Sequence, residues 1–267
     1  MSAIDLLFQR LRHSGQKALM PFLTAGDPDL GFTAELIRTL VARGASMCEV
    51  GIPYSDPIAD GPVIQASYNR ALTRGIKLCD ILATLGEVSS EVKAPLVTML
   101  SYAIIFRRGL EAFVAAAKRA GVAGLIVPDL PVEEAGELAK ICRRQDVSLI
   151  QLITPTTPES RALKIAEQTT GFIYYVSVTG ITGERTQLPP EIVDNVGRLR
   201  QKTPLPICIG FGISKPEHVR LLTPVADGLI VGSAIVRRMA DAENRPRVDV
   251  LREIGDYVAQ LKAATFA

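Results

Sequence analysis

The chain has 267 residues, 48% of them hydrophobic, enough to bury a large core in one barrel-sized domain or in two smaller ones. Its 30 Lys and Arg stand against 28 Asp and Glu, a formal charge of +2 spread along the chain, which gives no electrostatic reason to expect nucleic acid or a membrane surface as partner. A small molecule or another protein is the partner this composition predicts.

The opening MSAIDLLFQRLRHSGQK lacks the apolar core and small-residue cleavage site of a signal peptide and predicts one short amphipathic helix. No stretch reaches the length of a membrane span, so a cytoplasmic location is expected. Cys48, Cys79, Cys142 and Cys208 are widely spaced, with no CxxC and no neighbouring His to complete a zinc pattern, and are expected to be reduced core thiols.

Short apolar runs then alternate with helix-patterned segments. ALMPFLTAG begins at Ala18, MCEVGIP at Met47, PLVTMLSY at Pro95 and GLIVPDL at Gly124; SLIQLIT begins at Ser148, GFIYYVSV at Gly171, PICIGFG at Pro206 and DGLIVGSAIV at Asp227. Intervening segments such as DLGFTAELIRTLVARG carry apolar residues at helical spacing and end on a Gly suited to a left-handed cap. Strands apolar on both faces and separated by helices predict a parallel sheet covered all round. Eight such units predict a TIM (β/α)8 barrel with an extra N-terminal helix, and no Pro- or Ser-rich linker interrupts residues 1–267, so one domain is expected.

In such a barrel the active site lies at the C-terminal ends of the strands and in the loops behind them. The second run is followed by IPYSDPIADGPVIQASYNRALTRGIKLCD, long enough for an added loop and helix, and the sixth by TGITGERTQLPP; both loops are candidate lids. GFGI at the seventh run and GSAIV at the eighth stand where backbone N–H groups of TIM barrels commonly hold a phosphate. A Schiff-base aldolase would need a Lys at a strand end, and the lysines fall elsewhere; a metal-dependent one would need clustered His, and the chain has only His13 and His218. Acid–base work by carboxylates remains. Its leading candidates are Glu49 inside the second run, Asp60 in the loop behind it and Asp129 at the end of the fourth, while Asp27 reads as the cap of the next helix.

ExGIPxSDPxADGPVIQ followed by RAL, read here from Glu49, resembles the tryptophan synthase alpha family, supported by AGVAGLIVPDLPVEE, YYVSVTGITG and GFGI. The resemblance implies reversible retro-aldol cleavage of indole-3-glycerol phosphate to indole and glyceraldehyde 3-phosphate. It implies Glu49 as proton donor and acceptor, and Asp60 as the group that stabilises the protonated indole nitrogen. Thr182, Tyr175, Tyr102, Phe22, Leu100 and Ile153 would position the substrate; Gly183, Phe211, Gly212, Gly232 and Ser233 would hold its phosphate. No metal is implied, and no cofactor in this chain, since pyridoxal phosphate is expected in a partner beta subunit of an α2β2 assembly that docks around Pro53 and Asp56.

One departure is visible in MLSYAIIF, where Ile104 stands in place of the Asn common in relatives, in a segment that faces the partner. Two other readings share these residues: a stand-alone lyase, and a non-catalytic phosphate-binding regulatory subunit, against which the intact Glu49 and Asp60 argue. A sugar-phosphate isomerase or epimerase would share the last two motifs but has no reason to carry the SDPxADGPVIQ loop.

Overall fold

The computed structural model describes residues 1–57, 60–176, 190–210 and 212–266. Nine parallel strand segments form one sheet: β1 (Ala18–Thr24), β2 (Cys48–Gly51), β3 (Leu96–Met99), β4 (Val122–Ile126), β5 (Ser148–Ile150), β6 (Leu152–Ile153), β7 (Ile173–Val176), β8 (Ile207–Gly210) and β9 (Gly228–Val231). Their order is β5-β4-β3-β2-β1-β9-β8-β7-β6. The two ends of that order, β5 and β6, are separated in the chain by Gln151 alone. They are one strand broken at a single residue, so the sheet closes and the expected eight-stranded TIM barrel stands.

The helices are α1 (Ala3–His13), α2 (Leu30–Ala42), α3 (Pro62–Thr73), α4 (Leu78–Glu91), α5 (Tyr102–Arg108), α6 (Leu110–Arg119), α7 (Gly136–Arg144), α8 (Glu159–Gln168), α9 (Pro190–Lys202), α10 (Pro216–Leu222), α11 (Ser233–Met239) and α12 (Arg247–Ala263). Two of them, α3 and α4, fill the long connection from β2 to β3, which is the extra helix expected there. The expected N-terminal helix is α1, opened by a capping box in which Ser2 Oγ accepts from the Asp5 amide at 3.1 Å and Asp5 Oδ2 accepts from the Ser2 amide at 2.9 Å. Its apolar face covers the N-terminal end of the barrel: the Phe8 ring lies 5.8 Å from that of Phe172, and Ser148 Oγ donates to Ser2 Oγ. None of the described helices is long and apolar enough to cross a membrane.

Two expectations are corrected in detail. Cys48, Cys142 and Cys208 are buried thiols, but Cys79, in the first turn of α4, is exposed. The cap of α2 is Asp29, whose Oδ1 accepts from the Phe32 amide at 2.9 Å, and Asp27 is instead a fully buried carboxylate ion-paired to Arg70. Sequence pattern cannot separate two aspartates flanking one proline, because either spacing suits a cap.

Strand alternation decides what enters the barrel. Phe22 is in register with Glu49, Glu49 with Val97, and Gly51 with Met99. A Cβ on Gly51 would lie 2.5 Å from Phe22 Cζ and 2.6 Å from the Tyr68 hydroxyl oxygen, so a bare backbone there lets both rings close over the strand end. Gly51→Ala is therefore expected to cost about 1–3 kcal/mol through overpacking. A urea melt checks this as a lowered midpoint at unchanged slope.

Candidate active site

Glu49 stands in the middle of β2 with 1% of its surface exposed, and among the described residues its Oε1 has no hydrogen-bond partner. The barrel wall withholds solvent from the charged form, and the negative charge of Asp60 adds to that penalty, so the carboxyl is pushed up to about 8. It holds its proton at neutral pH.

Asp60 lies one residue before Gly61, the N-cap of α3. Burial raises its carboxyl to about 6, opposed by a hydrogen bond from the Tyr54 hydroxyl to Oδ2 at 3.4 Å. Burial, with the charges of Asp60 and Asp129, pushes Tyr54 well above the ordinary phenol range, which keeps it a donor. Below it the Tyr68 ring sits 5.4 Å from that of Tyr54. The two carboxylates thus differ in environment, one neutral and one mostly ionised at pH 7, as an acid–base division of labour requires.

Asp60 opens onto a cavity of about 450 Å³ lined also by Met99, Pro128, Leu152, Tyr174 and Val176. Tyr174 is buried and inward-facing: a Cβ on Gly210 would meet its hydroxyl at 2.5 Å, and after burial the charges of Glu49 and Asp60 raise its hydroxyl furthest. Tyr175 and Ile153 face the other way. They line a separate cleft of about 290 Å³ on the outer side of the sheet, with Ala162 of α8 and Asn195, Arg198 and Leu199 of α9. Leu100 is fully buried one residue beyond Met99, on the opposite parity to the residue that reaches the cavity. Of the residues expected to position the substrate, Tyr175, Ile153 and Leu100 lie off this cavity and their neighbours Tyr174, Leu152 and Met99 line it, because one residue of offset carries a strand side chain to the other face.

Other expected site residues are placed as follows. Phe22 points inward beside Glu49. Tyr102 begins α5 on the rim, its ring 6.1 Å from the exposed ring of Phe106, and it does not line the cavity. Asp129 lines the same cavity as Asp60, with its carboxylate engaged: Ser101 Oγ donates to Oδ2 at 2.6 Å and the Tyr102 amide to Oδ1 at 2.8 Å. Gly212 follows β8 with a φ of 74°, and Gly232 with Ser233 opens α11. A Cβ on Gly232 would lie 3.8 Å from Phe22 Cβ, which sets this corner beside the inward ring. Asp56 is exposed, whereas Pro53 is buried, so of the two only Asp56 offers its side chain to a partner in this chain. Thr182, Gly183 and Phe211 lie outside the described residues. No group of three His, Cys, Asp or Glu among the described residues is placed to hold a metal ion. Sequence reasoning missed Met99, Leu152 and Tyr174; the doubled tyrosine of IYYV, buried on both faces, leaves no alternation to read.

A closed parallel barrel with one carboxyl group in its wall and a second at its C-terminal mouth puts a candidate acid–base site in the usual place for a TIM-barrel enzyme. The model of the family "Tryptophan synthase alpha chain" matches residues 8–265. The tryptophan synthase alpha chain of Rhodopirellula baltica is 56% identical over 99% of each chain, and that of Rippkaea orientalis 50% identical over 99% of this chain and 98% of its own. Among solved structures, tryptophan synthase subunit alpha from Legionella pneumophila superposes with a TM-score of 0.91 at 33% identity, covering 100% of this chain and 99% of that one. A chain of the Pyrococcus furiosus tryptophan synthase α2β2 complex superposes with a TM-score of 0.85 at 39% identity, covering 92% and 98%. The chain belongs to the tryptophan synthase alpha chain family.

The raised Glu49 carboxyl carries a linkage consequence. Its ordinary value is 4.5 and its folded value about 8, so the folded state binds the extra proton between those limits and stability falls as pH rises through that window. Glu49→Gln has no such proton to lose. Relative to the native chain it is expected to gain stability progressively from about pH 4.5 to about pH 8, reaching a few kcal/mol, as denaturant melts across pH will show.

Proposed function

We propose that this chain is a carbon–carbon lyase that cleaves indole-3-glycerol phosphate by a reversible retro-aldol reaction. It acts as the alpha subunit beside a beta subunit that carries the pyridoxal phosphate, with residues 1–267 as one catalytic domain. Family membership supports the reaction. The observation that carries the chemistry is the buried, protonated Glu49, whose Oε1 has no hydrogen-bond partner among the described residues, within electrostatic reach of an ionised Asp60.

The protons balance around those two groups. Glu49 gives its proton to indole C3, and the positive charge that appears at the ring nitrogen is stabilised by the Asp60 carboxylate accepting from N1–H. The Glu49 carboxylate then takes the proton of the hydroxyl on the carbon bonded to C3. As that carbon–carbon bond breaks, its electron pair returns to the ring and neutralises the nitrogen, while the hydroxyl oxygen becomes the carbonyl of glyceraldehyde 3-phosphate. One proton has moved from hydroxyl to C3 through Glu49, which ends protonated as it began.

Phe22, Met99, Leu152 and Tyr174 supply the apolar walls for the indole. Gly212, Gly232 and Ser233, with Gly183 and Phe211, hold the phosphate through backbone N–H groups, since the first turn of a helix has no internal partners for them. Thr182 acts with Asp60 in this reading. Partner docking falls on the same rim of the barrel: Asp56 is exposed behind β2, and Phe106, 67% exposed, stands on α5 behind β3 close to Ile104.

Indole release by the purified chain, with and without the beta subunit, tests the reading and separates it from a stand-alone lyase. Glu49→Gln and Asp60→Asn are each expected to lower kcat by at least ~100-fold with the fold intact, and near-native turnover in either would remove the acid–base assignment. The kcat/KM of the native chain is expected to rise as Asp60 ionises near about 6 and to fall as Glu49 loses its proton near about 8. Gly212→Val, which puts a branched side chain at a φ of 74°, is expected to weaken glycerol phosphate binding measured by calorimetry.

A further inference from the structure

Asp60 belongs to no strand or helix, yet its backbone is held at both ends. Its amide donates to the Pro57 carbonyl at 3.0 Å. Gln65, in the second turn of α3, reaches back with Nε2 and donates to the Asp60 carbonyl at 2.7 Å and to the Pro57 carbonyl at 3.3 Å. An amide NH2 has two protons, and both are used on this loop.

The helix that carries Gln65 is itself fixed from below. Asp27, fully buried just beyond β1, receives Arg70 Nε at 3.0 Å on Oδ1 and Nη2 at 2.6 Å on Oδ2, and Ser67 Oγ donates to the same carboxylate. Arg74 adds a bond to the Pro28 carbonyl at 3.1 Å. A two-pronged arginine–carboxylate pair fixes direction as well as distance. Thus α3 is registered to the loop behind the strand that carries Phe22, and Gln65 passes that registration to the loop that carries Asp60.

We propose that Gln65 is a positioning residue for the acid–base pair: seated on α3 by the Asp27–Arg70 clamp, its amide holds the Pro57 and Asp60 carbonyls and thereby sets where the Asp60 carboxylate stands relative to Glu49. Its importance for turnover rests on the lyase reading above; its hold on Asp60 does not. Without the two bonds the ties of the loop that remain among the described residues are the short Asp60-to-Pro57 turn and Tyr54, and the carboxylate turns toward solvent. Asp60 then loses the burial that raises it. A residue serving only helix stability would leave that titration in place.

The test follows the Asp60 carboxyl by carbon NMR in the ligand-free chain, alongside indole release in the complex with the beta subunit. Gln65→Met keeps length and volume but removes the donor; Gln65→Ala, a strong helix former, serves if the first variant does not fold. The Asp60 titration is expected to move from about 6 toward its ordinary 3.8, with kcat lowered about tenfold or more, KM changed much less, and a melting temperature close to native. A titration that stays in its native position in a folded variant overturns the proposal, whatever the indole assay reads. If the native chain releases no indole while the variant's titration still moves, the lyase reading falls and the hold of Gln65 on Asp60 stands.

Discussion

The constraint on which the site depends is a carboxyl group placed in the wall of a closed barrel with nothing to neutralise it. Glu49 is 1% exposed between Phe22 on one side and Val97 on the other, and no described lysine, arginine or histidine pairs with it. A charged carboxylate in such a place is expensive, so the group stays protonated instead. The closed sheet leaves no lateral edge beside Glu49, so access to it comes through the mouth of the barrel, where Asp60 lines the cavity. The barrel therefore makes the acid, and the surrounding architecture has to supply everything that an acid alone lacks.

What it lacks is a fixed anion nearby, and here the long connection between β2 and β3 matters. A two-residue turn could not place Asp60 over the mouth; a loop followed by α3 can. Asp60 keeps partial exposure and a phenol donor in Tyr54, which hold its value well below that of Glu49 although the same barrel raises both. Tyr68 and Gly51 connect the two: the missing side chain at Gly51 lets the Phe22 ring and the Tyr68 hydroxyl meet over the strand end, and Tyr68 underlies Tyr54. Packing in the core and the electrostatics of the loop are thus one arrangement.

How far the sequence reveals this differs by kind of element. Each strand was legible as an apolar run, and the barrel followed from their number and from the helices between them. Glu49 was legible because a carboxylate in such a run demands a reason. Which side a residue faces was not: in strands apolar on both faces, adjacent positions such as Tyr174 and Tyr175, or Leu152 and Ile153, carry the same kind of side chain. Register against a neighbour decides it, and register is a property of the closed sheet. The break at Gln151 compounds this, since it divides the fifth strand beside the pair in question. Asp129 is ambiguous for a related reason: an aspartate at a strand end looks the same in sequence whether or not its carboxylate is already engaged, and here it lines the cavity while accepting from Ser101 and from the amide that opens the helix at Tyr102.

The pair of Asp27 and Arg70 is invisible in the sequence for a third reason: its partners are 43 residues apart, one in a loop and one on a helix, and no local spacing relates them. Buried ion pairs are weak stabilisers on balance, since the gain in attraction is offset by lost hydration, but they are strict about geometry. That strictness suits a helix whose task is to hold one loop at a fixed height above a barrel. A hydrophobic contact of the same area would let α3 slide along its axis with little change in energy, whereas two parallel hydrogen bonds to one carboxylate lose alignment with the first ångström of travel. A site whose acid is fixed in a strand and whose anion rides on a loop needs its tolerance taken up somewhere between the two. In this chain directed hydrogen bonds tie the β1 loop to α3 through Arg70, Ser67 and Arg74, and Gln65 carries that tie from α3 to Asp60.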